Sequence, residues 1–258
     1  MYSALNKIFG DKSDGKLFTC FGGWHILYIT LFLLAFVIVL FCLKNKDNCV
    51  KSRVTKTFSD IAFWIMIADF FFMPFAYGEI DIEKLPFHIC TAMCVMCFAS
   101  HRVGILKKFK IPFAVLGLIS NLGYLIYPAG VMWHQTHPFS YRVIETLSFH
   151  GIMTVYGLLV LVYEADKTSL KKCYHDLVVI VCMVGWALLG NYAYNGNYGE
   201  ITHFFNWFFV VRDPFNLLPE TIAPIVMPFL NVIMFFMADL LVYSIVWLAK
   251  RKHKRNET

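Results

Sequence analysis

Long apolar runs alternate with short polar ones along the whole chain. A helix that crosses a membrane needs about 20 predominantly apolar residues. The alternation predicts seven such spans, over residues 24–43, 58–77, 87–99, 111–127, 139–163, 174–194 and 222–249. The third is short, on the order of 20 Å at 1.5 Å per residue. It is therefore expected to be tilted, packed inside a bundle or re-entrant, and in the re-entrant case six spans remain. Residues 203–211 (HFFNWFFVV) are aromatic but too short to cross, and read as a re-entrant or interfacial segment. The pattern gives an all-α polytopic membrane protein: an interfacial segment over residues 1–20, a single transmembrane helical domain over 21–250 and a basic tail over 251–258.

Composition sharpens this picture. The chain has 258 residues, of which 59% are hydrophobic and 16% charged; soluble domains run roughly 45–50% apolar and about 25% charged. The eight cysteines do not read as a disulfide framework, because Cys42, Cys90, Cys94, Cys97 and Cys182 fall in apolar spans, where cysteine is usually a small hydrophobe. The first apolar run is too long for the core of a cleavable signal peptide and lacks a small-residue cleavage site after it.

The net charge of +6 matters through its placement. Lysine and arginine crowd the loops after spans 1, 3 and 5 and the C-terminus, whereas the loops after spans 2, 4 and 6 are acidic or nearly uncharged. Positive residues mark the cytoplasmic side, so the expected topology has the N-terminus outside and the C-terminus in the cytoplasm, in the cell membrane, with no nucleic-acid partner. Asp60 is expected to cap span 2 and Pro74 to kink or end it.

This topology gathers polar residues in the outer halves of the spans: Asp69 in span 2; His88, Cys90 and Thr91 at the start of span 3; Asn121, Tyr124 and Tyr127 in span 4; Glu145 and His150 in span 5; Asn191 in span 6; Asn231 in span 7. Asp239 is the main exception. Ionisable groups at membrane depth usually face a bundle interior or a wet cavity, so a chamber open toward the outside is expected. The asparagines also fit a plainer role, holding helices together by hydrogen bonds.

Thiol acyl transfer needs an available thiolate, a base within hydrogen-bond reach and donors for the developing oxyanion. Cys90 lies near a helix N-terminus, where the helix field favours a thiolate. His88 is two residues away and does not face it on a regular helix, which makes His150 the better base and His88 an orienter or second base. Asp69 or Glu145 would orient His150. Cys90, Cys94, Cys97 and His101 share a helix face but spread over roughly 16 Å, so no metal site is expected, nor any cofactor. No Walker or dinucleotide glycine pattern appears, and no lysine lies inside the last span for a retinal Schiff base.

The motif order Leu85-Pro86-Phe87-His88-Ile89-Cys90, Ser148-Phe149-His150-Gly151, Gly190-Asn191-Tyr192 and Asn216-Leu217-Leu218-Pro219-Glu220 resembles the YwaF-like bacterial integral membrane proteins. These are similar to a eukaryotic membrane acyltransferase that remodels ether phospholipids and, more distantly, to androgen-induced membrane hydrolases of fatty-acid esters. The resemblance implies acyl transfer to or from a lipid through a nucleophile and a histidine, with phospholipid and lysophospholipid as partners, His150 as the matching histidine and Thr91 as a second candidate nucleophile beside Cys90. A small-solute transporter or binding protein using the same chamber is the alternative, and a scaffold without chemistry is a third.

Overall fold

Helices account for nearly all regular structure in the computed structural model, which describes residues 17–76, 78, 80–164, 168, 173–197 and 205–256; no strand occurs among them. In chain order the helices are α1 (Gly23–Leu43), α2 (Asn48–Ala76), α3 (Ile89–Ser100), α4 (Lys110–Ile126), a short α5 (Ala129–Trp133), α6 (Tyr141–Tyr163), α7 (Tyr174–Asn197) and α8 (Ala223–Asn256). Six of them are long and apolar enough to cross a membrane. The interfacial reading of residues 1–16 and part of the loop after α6 lie outside the described residues, as do His203, Phe204 and the end of the tail.

Exposure follows the lipid logic. Only 6% of the apolar window of α1 is buried, and Leu31, Leu33, Leu34, Val37, Ile38 and Phe41 all lie open. Each such side chain in water forgoes about 1.5–3 kcal/mol of burial, so hydrocarbon is the solvent this surface fits.

One expected boundary is wrong. Helix α2 starts at Asn48, ten residues before the apolar run. Asp47 is its cap, accepting a 2.7 Å hydrogen bond on Oδ1 from the Val50 N–H, so Asp60 lies mid-helix. Lys51, Arg53 and Lys56 ride on this helical extension, which a search for apolar residues does not register. Helix α2 ends two residues after Pro74, as the missing proline N–H and ring clash lead one to expect. Gly78 follows with φ 83°, a left-handed turn that glycine enters without penalty.

The chain divides into two compact units: Met1–Ile82 with Ser120–Tyr163, and Glu83–Ile119 with Glu164–Thr258. In the first, α2 and α1 both pack on α6. The buried positions of α2 are Thr55, Ser59, Ala62, Met66, Asp69, Met73 and Ala76. Their alternating spacing of four and three draws one seam of mostly small side chains, the pattern that lets helices approach in lipid. Helix α6 is buried nearly all round. In the second unit α7 packs on α8.

Candidate functional site

Two polar constellations emerge, one in each unit. In the first, His150 is 7% exposed on α6. Its Nδ1 lies 3.0 Å from the Thr146 carbonyl oxygen, one turn back. A carbonyl only accepts, so Nδ1 carries the hydrogen, and in the neutral ring Nε2 holds the lone pair. The Tyr124 ring lies against the imidazole at 3.9 Å between centroids, and the Phe149 ring meets it edge-on at 5.0 Å. Thr146 donates in turn to Glu145 Oε2 at 3.1 Å, and Thr154 to the His150 carbonyl at 2.8 Å. Asp69 sits at 4% exposure in the α2 seam, and Asn121 is fully buried on α4.

The residue after the histidine is glycine for a packing reason. A Cβ at Gly151 would stand 2.4 Å from the ring of Phe32 on α1, so the His-Gly pair is also a docking point for α1. Arg142, at the head of α6, is paired with Asp81 at 3.1 Å, which neutralises the cation nearest the histidine along that helix.

The second constellation surrounds the turn at residues 83–91. His88 is the N-cap of α3, in extended conformation and without a side-chain cap bond. Cys90 is half-buried in the first helical turn, whereas Cys94 and Cys97 are fully buried; none of the three is in a disulfide. Thr91 Oγ1 donates to the His88 carbonyl at 3.0 Å. Two indoles hold the turn's carbonyls: Trp186 Nε1 donates to Pro86 at 2.7 Å and Trp207 Nε1 to Glu83 at 3.0 Å.

Trp207 belongs to the aromatic segment 203–211, whose described part, from Phe205 onward, is packed into this unit: Phe205, Trp207, Phe208, Val210 and Val211 are buried. Its backbone is satisfied by asparagine side chains. Asn191 accepts from Trp207 N–H at 2.8 Å and donates to Trp207 O at 2.9 Å. Asn195 accepts from Phe205 N–H at 2.8 Å and donates to Phe205 O at 2.9 Å.

Asn191 and Asn195, one turn apart on α7, thus satisfy main-chain groups of Trp207 and Phe205 that no neighbouring strand pairs. Asn231 on α8 donates to the Phe209 carbonyl at 3.1 Å, and the Phe208 N–H reaches His88 Nδ1 at 3.5 Å.

Aromatic rings fill the space between strap and turn. Phe87 stacks on Trp186 at 5.0 Å and lies 4.9 Å from Trp207, which stacks on Phe205 at 4.7 Å. A Cβ at Gly190 would meet the Phe87 ring at 2.4 Å. The Gly-Asn pair therefore has two jobs: the glycine admits Phe87 and the asparagine holds Trp207.

Every expected site residue is accounted for. Asp69, Asn121, Tyr124, Glu145 and His150 belong to the first unit, with Tyr124, Glu145 and His150 gathered on one chain of contacts. His88, Cys90, Thr91, Asn191 and Asn231 belong to the second, where His88, Asn191 and Asn231 all meet the strap. Sequence reasoning did not single out Asn195, Trp186 or Trp207. The Asn-x-x-x-Asn spacing before an aromatic segment was the available signal.

His25 was missed as well. It is fully buried, accepting from the Phe21 N–H on Nδ1 at 2.9 Å and donating from Nε2 to the Leu125 carbonyl at 2.7 Å. Both its nitrogens thus close helix ends.

Compared with known families, residues 20–239 match the model of the TMEM164 family. The match covers most of the chain, which belongs to that family. No curated protein and no solved structure matches it.

Proposed function

We propose that this member of the TMEM164 family is a lipid acyltransferase or lipid esterase of the cell membrane, acting on phospholipid acyl chains with Cys90 as nucleophile and His150 as general base. The observation that carries the reading is the hydrogen bond from His150 Nδ1 to Thr146. It fixes the tautomer whose Nε2 accepts a proton, and the neighbouring rings fix the orientation of the imidazole. General bases are recognised first by such geometry. The likeness to YwaF-like proteins and to the ether-phospholipid acyltransferase supports His150 as the matching histidine.

In this mechanism the Cys90 thiol gives up its proton to the general base as its sulfur attacks the ester carbonyl. His150 returns the proton to the departing lysophospholipid oxygen, and the thioester then passes to water or to a second lysophospholipid hydroxyl. The N–H groups of the first turn of α3, which has no side-chain cap, supply donors for the oxyanion. Cys90 is preferred to Thr91 because the Thr91 hydroxyl already donates to His88.

His88 orients the turn, and the asparagines keep the strap in place. Asp69, Asn121, Tyr124 and Glu145 support the histidine. Counted with α3 as a seventh crossing, the positive-inside pattern of the loops supports an outward-facing Cys90 turn.

The test is acyl exchange from labelled phospholipid in reconstituted vesicles, with trapping of the acyl-protein adduct. Cys90→Ala should abolish the adduct, and His150→Ala should slow its formation about 10²–10⁴-fold. Full rates in both variants overturn the reading. Labelled-solute uptake without any adduct would favour the transporter alternative.

A further inference from the structure

The helix pair α7–α8 encloses a third polar cluster that acyl transfer does not use. Asp176, in the first turn of α7, is 1% exposed, and Asp239 and Tyr243, one turn apart on α8, are 0% and 4% exposed. Tyr243 Oη donates to both Asp176 oxygens, at 3.0 and 3.1 Å. Both Asp239 oxygens are buried and have no hydrogen-bond partner. The two carboxyl groups lie within electrostatic reach of each other. Apart from Asp176, the titratable groups facing this cluster are Tyr243 and, beside Tyr243, Cys173. His175 turns away to stack on Tyr174 and meet Phe109 edge-on. Among the described residues, no cation is part of this cluster.

Two carboxylates buried together without a cation cannot both be ionised, because each would desolvate a charge against a like neighbour. The hydrogen bonds decide which one keeps the charge. Asp176 receives the tyrosine O–H and is the one equipped to be an anion; Asp239 receives nothing and fits the neutral acid.

We propose that Asp176 and Asp239 form a membrane-buried proton-binding site in which Asp239 carries an exchangeable proton. Asp239 is the 17th of the 34 residues of α8, within its apolar stretch, and Asp176 lies in the first turn of α7. Ionisable groups at such depth mark proton and ion paths, so the ligand class is the proton itself. The inference is independent of the acyl-transfer reading, because its readout needs no lipid substrate.

Infrared spectroscopy of the purified protein in lipid at neutral pH tests it. A protonated-carboxyl C=O band that shifts in D₂O is expected, to be lost in Asp239→Asn and kept in Asp176→Asn. A band that survives Asp239→Asn overturns the assignment. So does a band that sodium, but not choline, abolishes, since the occupant would then be a metal cation. If Asp239→Asn does not fold, a hydrophobic carbodiimide, which reacts with protonated buried carboxyls, decides on the unmodified protein. An adduct mapped to Asp239 that diminishes as pH is raised supports the site, and no adduct at Asp239 overturns it.

Discussion

The two constellations solve opposite problems. Around His150 the backbone is regular helix, whose N–H and C=O groups satisfy one another, so polar side chains can be turned to other uses. Around residues 83–91 and 205–211 the backbone is irregular, and each of its groups must find a partner in apolar surroundings, where an unsatisfied one costs several kcal/mol. There Asn191, Asn195, Asn231, Trp186 and Trp207 all bond to main chain. The lesson is that one residue type carries different information according to the regularity of the chain it faces. The two buried histidines repeat the contrast in miniature: His25 gives both nitrogens to backbone, whereas the Thr146 carbonyl fixes the tautomer of His150 through Nδ1.

That contrast can be broken or sharpened by substitution. The largest effect should come from pairing His150→Ala with His25→Ala. The first should cost about 10²–10⁴-fold in acyl exchange per folded molecule. The second should lower the unfolding temperature and leave the rate of the folded fraction intact. The reverse pattern would show that the roles have been exchanged.

Next in size is Asn191→Ala, which strands the buried N–H and carbonyl of Trp207. At about 1–3 kcal/mol for each orphaned group, the loss should reach roughly 2–6 kcal/mol. Asn195→Ala, at a half-buried site, should cost less. Equal and negligible losses in detergent unfolding would mean that the strap does not depend on its amides.

Smaller again is Gly190→Ala, which overpacks Phe87 and should cost about 1–3 kcal/mol. Phe87→Leu in the same chain should recover part of that, and a double-mutant cycle reads the coupling.

The smallest effect concerns Asp213, where N–H bonds from Phe215, and also from Leu217 and Leu218, hold the exposed carboxyl below its usual value. A depressed native value means that the stabilisation is present above the unfolded-state value and disappears as pH falls through the native one. Protection of the amides at residues 215–218, measured as exchange relative to the intrinsic rate at each pH, should therefore fall on acidification in the native protein. In Asp213→Asn it should be low and insensitive to pH over the same range.

Much of the architecture was legible because hydrophobicity in lipid is nearly a count of residues. The six long helices fall where the apolar runs fall, and five of the six begin within two residues of the expected place. The exception is α2: its first ten residues are helical but polar, and the apolar count marks where the helix meets hydrocarbon rather than where it begins. The shortness of α3, twelve residues, was legible for the same reason.

Less of the site could be read. That Asn191 holds backbone depends on where residues 205–207 lie, sixteen positions away in a segment with no periodicity of its own. The His150 tautomer depends on one carbonyl a turn away, and every helical histidine has such a carbonyl. Only coordinates tell whether it is used.

The near-bare surface of α1 has a consequence for synthesis. A helix with so few protein neighbours is stable in hydrocarbon by itself, so it can be left in the bilayer as soon as it leaves the ribosome. Helix α6 is the opposite case, enclosed on most sides and carrying Arg142, His150 and two buried threonines. The helices it packs on most, α1 and α2, are both translated before it. The gene order thus lays down a lipid-stable cradle first and delivers the polar helix into it afterwards, so that the most costly passenger is never the first to board.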